Sequence, residues 1–188
     1  AGNAGTLRIA SDDSIPPELG IPPFFPQLQA VFVTSPGWRV AVDASGGPMI
    51  GVLQRVRHCT VTVGEETVGA IGHGLLVLVC AESDDDDSVV QRFVDKVLKL
   101  RVFADEAGRM NRSVQDVGGG LMIVSQFTLA ADTRGGNRPS FTGAAGPEVG
   151  RARVDEVIAL ARQRHPLVAT GRFGADMQVA LVNDGPVT

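Results

Sequence analysis

The residues whose types could do chemistry gather at two strand ends. Ser125-Gln126-Phe127-Thr128 puts hydroxyl and amide side chains at the end of an apolar run that begins at Leu121. On spacing alone, Ser125 and Thr128 are better read as satisfying neighbouring backbone groups than as catalysts. A glycine-containing loop follows, in which Arg134 and Arg138 flank Gly135-Gly136-Asn137. Arginines on such a loop suit phosphate contacts, and a solvated loop fits them equally well. The second strand end is Asn183-Asp184-Gly185-Pro186-Val187-Thr188, directly after the apolar run Met177–Val182. Gly-Pro at that position makes either a sharp turn or a cis peptide.

The usual hydrolase devices are missing. There is no G-x-S-x-G elbow, H-E-x-x-H pair or P-loop, and the imidazoles are His58, His73 and His165. One lies in strand sequence, one in a Gly-rich turn and one at a helix end, so each reads as structural or exposed and no Ser-His-Asp triad is supported. Cys59 and Cys80 sit in apolar β-like runs without C-x-x-C spacing, which points to buried free thiols and a reducing compartment. No metal site or cofactor is expected.

The elements that must position these groups follow from periodicity. Ile50–Val56 and Cys59–Val63 are β-branched runs; in the second, Cys59, Val61 and Val63 alternate with Thr60 and Thr62, as one buried strand face requires. Gly64-Glu65-Glu66 turns the chain. Leu75–Ala81 is apolar without alternation, the pattern of a central strand covered on both faces. Val89, Val90, Phe93, Val94, Val97 and Leu98 mark one face of a helix, and the acids Asp84–Asp87 before it read as its cap rather than as a metal site. Leu121–Phe127 is a further strand. Val154, Val157, Ile158 and Ala161 belong to a second helix ending before Pro166, and Leu167–Ala169 and Met177–Val182 are the last strands.

Residues 1–48 differ in texture, since Pro16-Pro17, Pro22-Pro23, Pro26, Pro36 and Pro48 interrupt every periodic pattern. They read as an appendage with a boundary near Gly46-Gly47-Pro48, leaving 49–188 as one α/β domain. With 17 Lys and Arg against 21 Asp and Glu, the chain has no general attraction for a polyanion, so any contact with RNA must be local. No run reaches the 18 or so apolar residues of a membrane span, and the N-terminus has neither a basic region followed by an apolar one nor an Arg-rich transit pattern. The expectation is a soluble, cytoplasmic protein.

The two polar strand ends, Ser125–Thr128 and Asn183–Thr188, resemble the paired signatures Ser-Gln-Phe-Thr and Asn-x-Gly-Pro-x-Thr of the D-aminoacyl-tRNA deacylase family. Similarity also runs through Val52–Val56, Met110-Asn111, Ser113–Asp116, Asp132–Arg134, Arg138–Phe141 and Ala169–Met177, covering essentially Met49 to Thr188. The resemblance implies a β-barrel-like mixed sheet with two main helices packed on it, a two-fold homodimer, and a site at the dimer interface for the 3′ end of an aminoacyl-tRNA. It implies a cis peptide at Gly185-Pro186, whose carbonyls hold the substrate amine, with Met177 and Asn183 beside it. Ser125, Gln126, Phe127 and Thr128 are then the catalytic set, with the Phe127 N–H and the Gln126 region meeting the scissile carbonyl and ribose. Attack by water assisted by the terminal 2′-OH ranks above Thr128 as nucleophile, and Arg134 and Arg138 would hold tRNA phosphates. The implied reaction is ester hydrolysis of D-aminoacyl-tRNA, with glycyl-tRNA as a further candidate substrate. The alternative is a nucleic-acid-binding accessory protein on the same fold.

Overall fold

A computed structural model describes residues 49–188. The expected appendage 1–48 lies outside the described residues. Strand β1 (Ile50–Val63) opens the domain, followed by β2 (Glu66–Ile71), β3 (Gly74–Cys80), helix α1 (Asp87–Lys99), β4 (Phe103–Ala104), β5 (Met110–Arg112) and β6 (Gly120–Ser125). A 3-10 turn (Phe127–Ala130), helix α2 (Pro147–Arg164), β7 (Val168–Thr170) and β8 (Gln178–Asn183) complete it.

The main sheet runs β2-β1-β3-β6-β7, and β8 also pairs with β1. Antiparallel pairing joins β1 to β2, β3 and β8, whereas β3-β6 and β6-β7 are parallel. The parallel pairs are joined through α1 and α2, because a parallel neighbour needs a long crossover. At 14 residues β1 is long enough to serve β3 with its first half and β2 and β8 with its second. The sheet curls until β2 meets β7: a Cβ on Gly69 would stand 2.5 Å from the Thr170 carbonyl oxygen. This is the expected barrel-like mixed sheet with two helices.

Side-chain alternation divides the core into two layers. Leu75, Val77 and Val79 of β3 and Leu121 and Ile123 of β6 face the helices, with Val90, Phe93, Val94 and Val97 of α1 and Val154, Val157 and Ala161 of α2. Their intervening neighbours Leu76, Met122 and Val124 face the barrel interior with Val56, Cys59 and Val61. Both faces of β3 are therefore apolar, which explains its unalternating sequence. Gly74 and Gly120 pair directly in the β3-β6 ladder, and a Cβ on Gly74 would lie 1.9 Å from the Gly120 carbonyl oxygen.

Local signals had their expected effects. Asp86 caps α1, its carboxylate accepting from the Val89 N–H at 3.0 Å, and Gly64 takes φ +58° in the turn between β1 and β2. Two boundaries differ from the sequence reading. Ile50–Val56 and Cys59–Val63 form one strand: the exposed Arg57 and His58 break the apolar pattern, but β8 pairs with Val56 and resumes at His58 across a bulge at Arg57. The strand expected over Leu121–Phe127 ends at Ser125, and Phe127 instead opens the 3-10 turn.

Candidate active site

The end of β6 delivers the first polar segment. Ser125 pairs with Val79 in the β3-β6 ladder, and the Gln126 N–H continues that contact by donating to the Val79 carbonyl at 2.7 Å. The chain then leaves the sheet into the turn Phe127–Ala130, closed by Leu129 N–H to the Gln126 carbonyl at 3.2 Å. The leading N–H groups of a helical turn have no acceptor inside it, so the Phe127 amide that opens this turn is left to an outside acceptor. The Phe127 ring is 58% exposed and meets Phe141 edge to face at 5.2 Å.

Thr128 is held from beside, its Oγ1 accepting from the Gln126 amide nitrogen at 2.6 Å. Among the described residues no imidazole or carboxylate hydrogen-bonds to Thr128, so nothing there takes its proton. Beneath the turn the Cys80 thiol lies 3.6 Å from the Phe127 carbonyl oxygen. Burial, assisted by the Glu82 charge, pushes that thiol up to about 11, so it stays protonated and donates rather than attacking. Cys59 is likewise a buried free thiol raised to about 11 by burial.

The second segment is gripped by a residue 129 positions away in the chain. Arg55, on β1, donates from Nε to the Asp184 carbonyl at 3.0 Å, from Nη2 to the Gly185 carbonyl at 3.1 Å, and from Nη1 to the Val102 carbonyl. Its side chain is only 11% exposed and also pairs with the Asp184 carboxylate at 3.0 Å. Backbone bonds continue the ladder on both sides of this grip: Asp184 N–H to the Arg55 carbonyl at 2.7 Å and Arg55 N–H to the Val187 carbonyl at 3.3 Å. The bond between Gly185 and Pro186 is cis. Both residues are exposed while Val187 is buried in the core, so the dipeptide is presented between two anchors.

Asp184 is the hub of this region. Besides Arg55 it faces Arg57 at 3.5 Å and the His73 ring nitrogen at 4.0 Å, and that ring packs edge to face on Phe103 at 5.1 Å. The roles of Arg55, Asp184 and His73 were not read from the sequence. A signal existed for Arg55, since an arginine in an apolar strand needs buried acceptors. His165 is buried with Nε2 2.7 Å from the Gly119 carbonyl oxygen, and His58 is exposed.

The remaining candidates divide by position. Asn183 ends β8, and its Oδ1 accepts from the Thr188 hydroxyl at 3.2 Å, closing the last residues into a loop. Met177 packs on the interior core layer; its sulfur accepts from the Arg172 N–H at 3.2 Å and would lie 2.6 Å from a Cβ on Gly171. The arginine loop is tied off by Asp132 and Ser140, which exchange backbone hydrogen bonds of 2.8 Å, and the Phe141 contact sets its base beside the 3-10 turn. Arg134 is already engaged: its guanidinium lies 2.7 Å from Asp132 Oδ2 and draws that carboxyl down to about 2. Arg138 is exposed, and among the described residues it makes no ion pair.

The two signatures do not meet within one chain. Ser125 is level with Val79 and hence with Gly51 of β1, whereas Asn183 is level with Val56. Five residues of strand separate these levels, roughly 17 Å at about 3.3 Å per residue.

The profile of the family described as D-Tyr-tRNA(Tyr) deacylase matches residues 52–188. A D-aminoacyl-tRNA deacylase of Paracidovorax citrulli (strain AAC00-1) is 67% identical over 140 residues, spanning 74% of this chain and 90% of that one. The enzyme of the same name from Variovorax paradoxus (strain S110) is 64% identical over 140 residues, 74% of this chain and 96% of that one. Among solved structures, a c-Myc DNA Unwinding Element Binding Protein superposes with a TM-score of 0.70 at 39% identity, covering 73% of this chain and 93% of that one. A probable eukaryotic D-amino acid tRNA deacylase superposes with a TM-score of 0.64 over 72% of this chain and 94% of that one; at 18% identity it speaks to the fold alone. By the match of its family profile and by these relatives, the chain belongs to the D-Tyr-tRNA(Tyr) deacylase family.

Proposed function

We propose that the domain hydrolyses the ester between a D-amino acid and the 3′ end of tRNA, releasing both, and so removes mischarged D-residues before translation uses them. The observation that carries this reading is the pairing of a turn that presents the Phe127 amide with a clamped Gly185 carbonyl, on a chain whose relatives bear the name of that activity.

The chemistry asks little of side chains. An aminoacyl ester is already activated, so an oriented water and a donor for the tetrahedral oxyanion suffice. The Phe127 N–H supplies the donor, Ser125 and Gln126 line the approach, and the 2′-OH of the terminal adenosine assists the attack. Thr128, bound by Gln126 and without a base, is a supporting group. The carbonyls of Gly185 and Pro186 accept from the substrate α-ammonium, and an L side chain collides with the same backbone. Selection by exclusion rejects only what is too large on the wrong face, so glycyl-tRNA, with no side chain on either face, is also a substrate.

The site is shared by two copies. The separation between the two signatures within one chain supports this, because one substrate amine and its ester carbonyl are adjacent atoms and cannot bridge it. The homodimer places the Gly185-Pro186 segment of one copy against the turn of the other. Arg134 and Arg138 meet acceptor-end phosphates, and the enzyme works in the cytoplasm with its tRNA. Among the described residues no helix is long and apolar enough to cross a membrane.

A second reading, a nucleic-acid-binding accessory protein, is favoured by one observation: the neighbour at 39% identity is named for binding a DNA element. Matched D- and L-aminoacyl-tRNAs, followed for ester loss against buffer, decide between the two. Loss of the D form with the L form largely intact is expected; equal rates on both enantiomers, or none on either, overturn the deacylase reading. Light scattering on active enzyme tests the shared site, and an active monomer refutes it.

A further inference from the structure

Asp85 is the inward-facing acid of the Asp84–Asp87 run. It is 4% exposed, while Asp84, Asp86 and Asp87 lie at the surface. Its Oδ2 accepts from the Glu82 N–H at 2.8 Å, but Oδ1 is buried with no hydrogen-bond partner among the described residues. A carboxylate at that depth needs a cation or further donors. Arg153 contributes only through its field, since its guanidinium is engaged by Asp87 and Glu156 at 2.7 Å each. Burial raises the carboxyl's pKa, and the Met49 backbone amide is among the groups that oppose the rise.

The antiparallel register that pairs Ile50 with Cys80 sets Met49 opposite Ala81, next to Glu82, whose N–H holds the Asp85 carboxylate. The Met49 side chain is fully buried in the helix-facing core, and Ile50 opens β1 against Cys80. As a peptide, the Met49 nitrogen offers one donor and no charge. As a chain terminus it offers three N–H donors and a full positive charge, which is what the open Oδ1 lacks.

We propose that Asp85 is a receptor for an α-ammonium group on Met49, so that the working domain begins at Met49. Initiation at Met49 supplies such a group. So does hydrolysis of the Pro48–Met49 peptide, in which water gives its hydroxyl to the Pro48 carbonyl carbon and its proton to the Met49 nitrogen. The relatives whose chains are 90% and 96% covered consist almost wholly of this domain, so 49–188 is a folding unit.

The test is independent of deacylation. Intact mass of the protein made from its natural gene is expected to show Met49 at the terminus; a product retaining earlier residues overturns the proposal. Stop codons placed within positions 1–48 distinguish the sources, since the Met49 product survives them under initiation and disappears under hydrolysis. In 49–188, NMR titration is expected to place the α-amino group at least about one unit above its ordinary range of about 7.7–8.0, a tenfold gain in proton affinity. Asp85→Asn should return it to that range. A raised pKa means the stabilisation is full below about pH 8 and fades as pH rises through the raised value. Asp85→Asn should lower the Tm of 49–188 and leave that of 1–188 unchanged or higher. Should the variant of 49–188 fail to fold, the titration of the unsubstituted protein still decides. An ordinary α-amino pKa, or an equal Tm loss in both lengths, overturns the proposal.

Discussion

The two signature segments are built on opposite plans. Ser125–Ala130 is held by its own backbone: a strand end, one hydrogen bond to Val79 and a local turn. Asp184–Thr188 is gripped from outside, beyond its backbone bonds to β1, by one arginine that reaches the Asp184 and Gly185 carbonyls and the Asp184 carboxylate. Side-chain changes in the turn should therefore be mild, because the group presented is a main-chain amide. The tail should be sensitive to a residue that is not in it.

Arg55→Ala gives the largest expected effect. It leaves the part-buried Asp184 and Val102 carbonyls without their side-chain donor, at up to about 1–3 kcal/mol each, and frees the exposed Gly185 carbonyl to move. Displacement by about an ångström costs on the order of 10²-fold in turnover. Kinetics on D-aminoacyl-tRNA with a parallel melt checks this, and Arg55→Lys should rescue little because a point charge cannot reproduce the fork. Full activity in Arg55→Ala breaks the comparison.

Next in size is the arginine loop. Arg134→Ala with Arg138→Ala should raise KM and reduce the salt slope by about two if each arginine meets a phosphate. Asp132→Asn should do the reverse, lowering KM and steepening the slope, because Arg134 is released from its partner. Acidification in the working range should not mimic it. With Asp132 drawn down to about 2 by Arg134, that contribution is present above the unfolded carboxyl pKa of about 3.9 and lost only as pH falls through about 2. KM measured across salt, with no change in either variant, returns the loop to plain solvation.

Phe127→Ala keeps the amide and removes the contact with Phe141, worth about 0.5–1.5 kcal/mol beyond area burial. A modest Tm loss and a several-fold rate loss are expected. Thr128→Ala is the smallest change, with rates expected to stay within several-fold of the parent. Loss on the order of 10³-fold in single-turnover assays would instead make its hydroxyl the nucleophile and sharpen the comparison in the other direction.

How much was legible depended on the range of the interaction. The central strand β3, the Asp86 cap and the Gly64 turn could be read because each rests on neighbours a few positions apart. The extent of β1 could not, since Arg57 and His58 look like a break until β8 pairs with β1 on both sides of Arg57. The end of β6 was placed two residues late because an apolar Phe127 continues the pattern that the backbone abandons at Gln126.

By itself the sequence determined periodicity, caps, turns and the residue types at the two strand ends, all set by φ/ψ preference and local hydrogen bonding. Only the tertiary structure decided that Arg55 holds Asp184 and Gly185, that Asp85 is buried with an open oxygen, and that Gly69 closes the barrel against Thr170. A buried guanidinium or carboxylate takes whatever partners the packing brings within about 3 Å, and those are chosen by how strands curl and pair rather than by adjacency in the chain.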